Sequence, residues 1–159
     1  MANINVSSPT SFTSLYVSTA TIVSTTGTGV MAVPSLQDIT LNNNNGTFRW
    51  KQLDLTSQKA VATPATNSIG LNIVLDDASF YGSVGSAGTN ATELGIFNLS
   101  NNKTKVYFKM FWAGETTGKK FVTGSGFITG LAPKVNPDQP VWITPLTIEV
   151  DGDFTSGTV

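Results

Sequence analysis

The sequence predicts a mainly β fold: a sandwich- or barrel-like domain of about seven to eight antiparallel strands with one short flanking α-helix. Three observations carry that expectation. β-Branched and aromatic residues recur in short runs with a period of two, the spacing of half-buried strands. Gly, Pro and Asn clusters punctuate these runs, as in FVTGSGFITGLAPKVNPDQPVWITPLTIEVDGD over 121–153. Only Asn90 to Ser100 combines a capping residue with apolar spacing suited to a helix.

In chain order, Met1–Ser11 is polar and reads as an N-terminal arm. Phe12–Val23 is one bent strand or two short ones, and Ser35–Leu41 is the next, with Gln37, Ile39 and Leu41 on one face. Asn42–Gly46 ends in Asn-Gly, the strongest short hairpin cue, so Thr47–Thr56 is expected to return beside it with a bulge near Lys51–Gln52. Thr56–Ser68 then reads as an exposed loop, and loops longer than about 12 residues without structure of their own are usually functional or disordered. Leu71, Ile73 and Leu75 line a strand that stops at Asp76-Asp77, and Phe80–Thr89 is a Gly/Ser-rich connection.

In the helix, Asn90 caps and Glu93 reaches back to the cap, while Asn101-Asn102 end it in the left-handed region. Leu94 and Phe97 share a stripe, with Ile96 and Leu99 beside it. Lys103–Trp112 is the clearest strand. Val106, Phe108, Met110 and Trp112 point to the core, and Lys105, Tyr107, Lys109 and Phe111 point away. The closing pair, Phe121–Leu131 and Val141–Val150, flanks Ala132–Pro140, whose prolines keep that loop out of either ladder.

Composition bounds the function. At 159 residues the chain is most simply one domain, spanning 1–159 and large enough for a real core. Charged residues supply only 12%, against about 25–35% on an ordinary soluble surface. Thr, Ser and Asn take their place, which suits a surface covered by copies of the same chain. Cysteine and histidine are both absent, which removes disulfides, thiolate metal sites and the commonest general base. A net charge of −1 gives no electrostatic reason for tight nucleic-acid binding. No run reaches the roughly 18 apolar residues of a membrane span, so no membrane partner is expected. The N-terminus lacks the basic and apolar regions of a secretory signal.

No catalytic constellation emerges, so the chain reads as a non-enzyme with no cofactor and no metal. Asp76-Asp77 is a lone acidic pair, and Asp151-Gly152-Asp153 lacks the later Glu of a calcium loop. Lys103, Lys105 and Lys109 with Tyr107 fit the polar side of a sheet better than a nucleic-acid face. Gly124, Gly126 and Gly130 precede no helix and carry no Lys-Ser/Thr; they fit a place where a neighbouring backbone, helix or subunit comes close. Pro145 suits an edge or a bulge. Trp50, Trp112 and Trp142 lie in alternating runs, which points to core burial and away from a carbohydrate-stacking platform.

The order of elements resembles the bacteriophage major tail tube protein family. "QLDLTSQ", with Asp54, Thr56 and Ser57, is similar to a strand of that family ending in an Asp-x-Thr-x-Ser-like turn, and "IGLNIVLDD" to the strand that follows. "FVTGSGFITGLAP…VWITPLTIEVDGD" resembles its closing strands, and "NATELGIFNLSNN" sits where it has its single helix.

The resemblance implies a structural virion protein whose hexameric rings stack into a tail tube, the conduit for genome delivery into the host. The implied partners are the chain itself and other tail proteins: tape measure, terminator, tip and, where the tail has one, sheath. Viral DNA would pass through the lumen without specific binding. The implied location is the virion tail, with the host cytoplasm during assembly. Residues 56–68 would be the loop reaching the adjacent ring, which makes Lys59, Val61, Pro64 and Thr66 subunit-interface residues together with Gly124, Gly126 and Pro145. The alternatives are another ring-forming virion or secretion-tube component on the same fold, such as a terminator or tip, and a carbohydrate-binding β-sandwich.

Overall fold

The structure, a computed structural model, describes residues 13–34, 36–53 and 56–159. The expected arm at Met1–Ser11 lies outside the described residues, as does Asp54. The strands are β1 (Ser14–Ser18), β2 (Met31–Ala32), β3 (Leu36–Asn44), β4 (Thr47–Lys51), β5 (Gln58–Ala62) and β6 (Thr66–Val74). Two helices follow, α1 (Asp77–Tyr81) and α2 (Ala91–Asn101). The chain closes with β7 (Lys105–Phe111), β8 (Lys120–Thr129), β9 (Lys134–Asn136), β10 (Gln139–Val150) and β11 (Thr155–Thr158).

The protein is mainly β, built on one nine-stranded antiparallel sheet in the order β2-β1-β7-β8-β10-β6-β3. Within it β11 lies beside β8 and β9 beside β10, while β4 and β5 form a separate two-stranded ribbon. Alternation along each strand sends one set of side chains to the core. Leu15, Val17, Ile69, Leu71, Ile73, Val106, Phe108, Met110, Ile128, Leu146 and Ile148 are all buried on that side. Each such side chain contributes about 1.5–3 kcal/mol through burial. Helix α2 covers this face with Leu94, Ile96 and Leu99, and Phe80 of α1 joins them in the same core.

The long strand β10 organises the sheet. Its residues Ile143 to Glu149 pair with β6, and Thr147 to Val150 pair with β8. On the β8 side, the β9 ladder ends at Ile143 and the β8 ladder begins at Thr147. Pro145 falls between the two, where a missing N–H costs no ladder bond.

Several sequence expectations are corrected. Asn42–Asn44 do not turn; they continue β3 and pair with Ser68–Thr66 of β6. Residues 47–56 therefore do not return along β3: β4 ends at Lys51 and pairs with β5. Residues 56–68 are no unstructured loop, since they form β5 and open β6. The polar character of 42–44 and 56–62 arises because these stretches are exposed on both faces, a pattern that alternation alone does not separate from loop. Residues 134–136 form β9 despite the flanking prolines, because Pro133 and Pro137 lie just outside the strand. A second helix, α1, occupies the first part of the expected Gly/Ser connection; Asp76 starts it by accepting from Ser79 N at 3.1 Å.

The α2 region also departs from a simple capped helix. Asn90 Oδ1 does accept from Glu93 N at 3.1 Å, but the Glu93 carboxylate binds Thr89 N and Oγ1, one residue earlier than expected. The backbone leaves helical geometry at Gly95 (φ 71°, ψ 169°). The carbonyls of Thr92 and Glu93 accept instead from Ser83, Val84 and Gly85 N–H. Ile96 and Leu99 are buried, whereas Phe97 is 41% exposed. The left-handed residue at the end is Lys103 (φ 53°), not an asparagine.

Candidate functional site

No group of three or more His, Cys, Asp or Glu side chains that could hold a metal ion occurs among the described residues. The features that call for a function are surfaces. The first is the β4–β5 ribbon, an extension of the β3–β6 hairpin past a break at Gly46 and Thr63–Pro64. Thr63 N donates to Gly46 O at 2.9 Å, closing the neck of the ribbon. Pro64 lacks the N–H needed to carry the ladder through this point. Among the described residues β4 pairs only with β5, and every residue of both strands is exposed. Five residues per strand give the ribbon a length of roughly 17 Å.

Cross-strand partners share a face. Phe48 lies opposite Val61 and Trp50 opposite Lys59, so one face carries Phe48, Trp50, Val61 and the Lys59 ammonium. Phe48 and Trp50 stack with ring centroids 5.9 Å apart, yet remain 58% and 38% exposed. Large apolar groups left this open are unusual on a soluble surface.

The second surface is a cleft of about 430 Å³ at the other end of β6. Leu75, Phe80, Tyr81 and Trp142 line it with Asp76 and Asp77. Leu75 N donates to Trp142 O at 2.8 Å, which ties the start of β10 to the chain leaving β6. Phe80 is buried, while Tyr81 and Trp142 are each 53% exposed. Asp76 is occupied by Ser79, whereas Asp77 has no hydrogen-bond or ion-pair partner among the described residues.

A third cluster is structural. Glu115, in the β7–β8 turn, accepts from Tyr16 at 2.5 Å, Ser14 at 3.0 Å and Thr25 at 3.1 Å. Burial pushes its carboxyl up, but these bonds and the Lys109 charge together hold it below the ordinary value. The hydrogen bond to Glu115 and burial push the Tyr16 phenol up to about 12. Lys109 itself lies 4.3 Å from the Phe121 ring centroid, and Lys105 pairs with Asp151 at 2.7 Å. Two of the three lysines considered for a nucleic-acid face are thus engaged within the chain.

The expected interface residues fall in two places. Lys59 and Val61 share the aromatic face of the ribbon; Pro64 lies at its neck, and Thr66 opens β6 opposite Asn44. Gly124, Gly126 and Pro145 sit apart from these, inside the main sheet. A Cβ on Gly124 would meet Phe108 Cζ at 2.7 Å, and one on Gly126 would collide with the Glu149 carbonyl. The close approach these glycines permit is therefore made by the chain's own core ring and own β10 backbone. The tryptophan expectation is corrected too, for all three are exposed: Trp50 by 38%, Trp112 by 41% and Trp142 by 53%. Trp112 and Phe111 exchange roles, with Phe111 buried against Tyr16 and Phe121.

No protein-family model and no curated protein matches the chain. Solved structures do. A chain from the tail of an empty gene transfer agent (GTA) particle with C6 symmetry aligns with a TM-score of 0.60 and 13% identity, covering 91% of this chain and 96% of that one. A chain from the virion of a native gene transfer agent particle aligns with a TM-score of 0.56 and 12% identity, covering 89% and 95%. At such identities the likeness is one of fold, and it spans nearly the whole of both chains.

Sequence reasoning missed the cleft and the aromatic face of the ribbon. The ribbon did leave a signal: Phe48, Trp50 and Val61 alternate with Arg49, Lys51 and Ala60 in segments that have no core side. The cleft left none, since Trp142 and Tyr81 meet only through tertiary structure.

Proposed function

We propose that the protein is a structural virion protein, the subunit of hexameric rings that stack into a phage-type tail tube for genome delivery. The observation that carries this reading is the near-complete fold alignment with a chain of a C6-symmetric tail. Two features of this chain support it. Among the described residues β3 pairs with β6 alone, and its other edge can take a strand of a neighbouring copy. The β4–β5 ribbon projects beyond the sheet with apolar side chains uncovered. Edge pairing in a closing heterologous contact makes rings, and a projecting arm that grips the next ring makes a tube.

In this role Lys59, Val61, Pro64 and Thr66 belong to the ring-to-ring contact, with Gly124, Gly126 and Pro145 in the sheet that faces a neighbouring subunit. Tape measure, terminator, tip and any sheath would meet the finished tube, and DNA would pass through a lumen that offers phosphates no dense positive charge. Deletion of residues 47–62 tests the arrangement, because Gly46 and Thr63 already meet at the neck. The shortened chain should fold, form rings and fail to stack in negative-stain images. Tubes as long as those of the intact chain would refute the ribbon's part, and a protein that forms single rings with or without the ribbon would be a terminator or tip component.

A further inference from the structure

The ribbon and the cleft lie at opposite ends of the same strand. β6 begins at Thr66, beside the neck of the ribbon, and ends at Val74, one residue before the cleft-lining Leu75. Its nine residues separate the two by roughly 30 Å. The ribbon joins the Thr66 end of β6 through the Gly46–Thr63 neck, and at roughly 17 Å it is too short to span that distance to its own cleft. Their chemistry is nevertheless complementary. The ribbon face offers Phe48, Trp50, Val61 and the Lys59 ammonium. The cleft offers the exposed rings of Trp142 and Tyr81 beside the Asp77 carboxylate, which has no partner among the described residues. The segment 47–62 carries Arg49, Lys51 and Lys59 against Asp54 alone, within a chain whose net charge is −1.

We propose that the cleft formed by Leu75, Asp77, Tyr81 and Trp142 is the receptor for the β4–β5 ribbon of a second copy of this chain, with Lys59 meeting Asp77 and the Phe48–Trp50 stack covering Trp142 and Tyr81. This deepens the tube reading and rests on it. A knob at one end of β6 and a socket at the other define a head-to-tail contact, which repeats without limit along the direction of β6. Apolar contact supplies adhesion, while the ion pair fixes register and penalises misplaced copies. Lys59 and Asp77 are both exposed in the single chain, so neither is desolvated until the second copy arrives.

The test uses three full-length variants: Lys59→Glu, Asp77→Lys and the double exchange. Sedimentation and negative-stain images report polymer, and circular dichroism confirms an unchanged fold. Each single exchange places like charges together and should raise the concentration needed for tubes about tenfold or more. The double exchange should restore it towards that of the native chain. Carbodiimide treatment of native tubes should also yield a covalent Lys59–Asp77 link between copies, detected by mass spectrometry. Native tubes with no such link, and an Asp77→Lys chain that polymerises as readily as the native one, would overturn the receptor assignment while leaving the tube reading intact. A native chain that forms no polymer at any concentration would overturn both.

Discussion

Gly82 and Gly95 determine how the two helices meet. Gly82 has φ 77° and Gly95 φ 71°, and a Cβ on either would strike the backbone of the other's segment. Gly95 both accepts a backbone that L side chains rarely adopt and leaves room for the Phe80–Gly82 main chain. Gly95→Ala should therefore cost about 3 kcal/mol or more, the sum of a left-handed penalty and overpacking, measured by urea unfolding. The Glu115 cluster gives a second residue-scale prediction. Its carboxyl is held below the ordinary value, so the stability it contributes is present above about pH 4.5 and is lost as pH falls through the lowered folded value. Tyr16 runs the other way. Raised to about 12, it contributes stability that is complete below its ordinary value of 10.0 and lost as pH rises through the folded value. Glu115→Gln should flatten the acid limb of stability and bring the Tyr16 titration down towards its ordinary value, followed by ring NMR signals of labelled tyrosine.

At the scale of elements, the short α2 depends on its cap and on packing. Asn90→Ala removes the acceptor for Glu93 N and should cost about 1 kcal/mol, read as a lower urea midpoint with an unchanged slope. The strands β6, β7, β8 and β10 were legible because each buries one face, so alternation records which side meets the core. Phe111 and Trp112 mark where that rule stops: at the strand end Phe111 packs between Tyr16 and Phe121, on the face alternation assigns to solvent. The β3–β4 and β5–β6 connections were misread for a related reason. Asn42–Asn44 and 56–62 have no buried face, and the Asn-Gly signal sits in a neck that is not a turn. The candidate site was legible only in part. Lys59 and Val61 could be placed on an exposed segment, but their aromatic face depends on the β4–β5 register. The cleft joins Asp77 and Tyr81 to Trp142 across more than sixty residues of sequence. The Glu115 cluster joins residues separated by 90 to 101 positions.

For the whole molecule, the low charge, the open β3 edge and the projecting ribbon belong together. Among its described residues the isolated chain exposes a strand edge without a partner and uncovered aromatic rings, features that soluble monomers ordinarily protect. Surrounded by copies of itself, it would use each of them: the edge within a ring, the ribbon and cleft between rings. The most direct measurement is negative-stain electron microscopy of the purified native chain over rising concentration. Hollow tubes of stacked rings with sixfold end views are the expected result. Dispersed single particles at every concentration would contradict it.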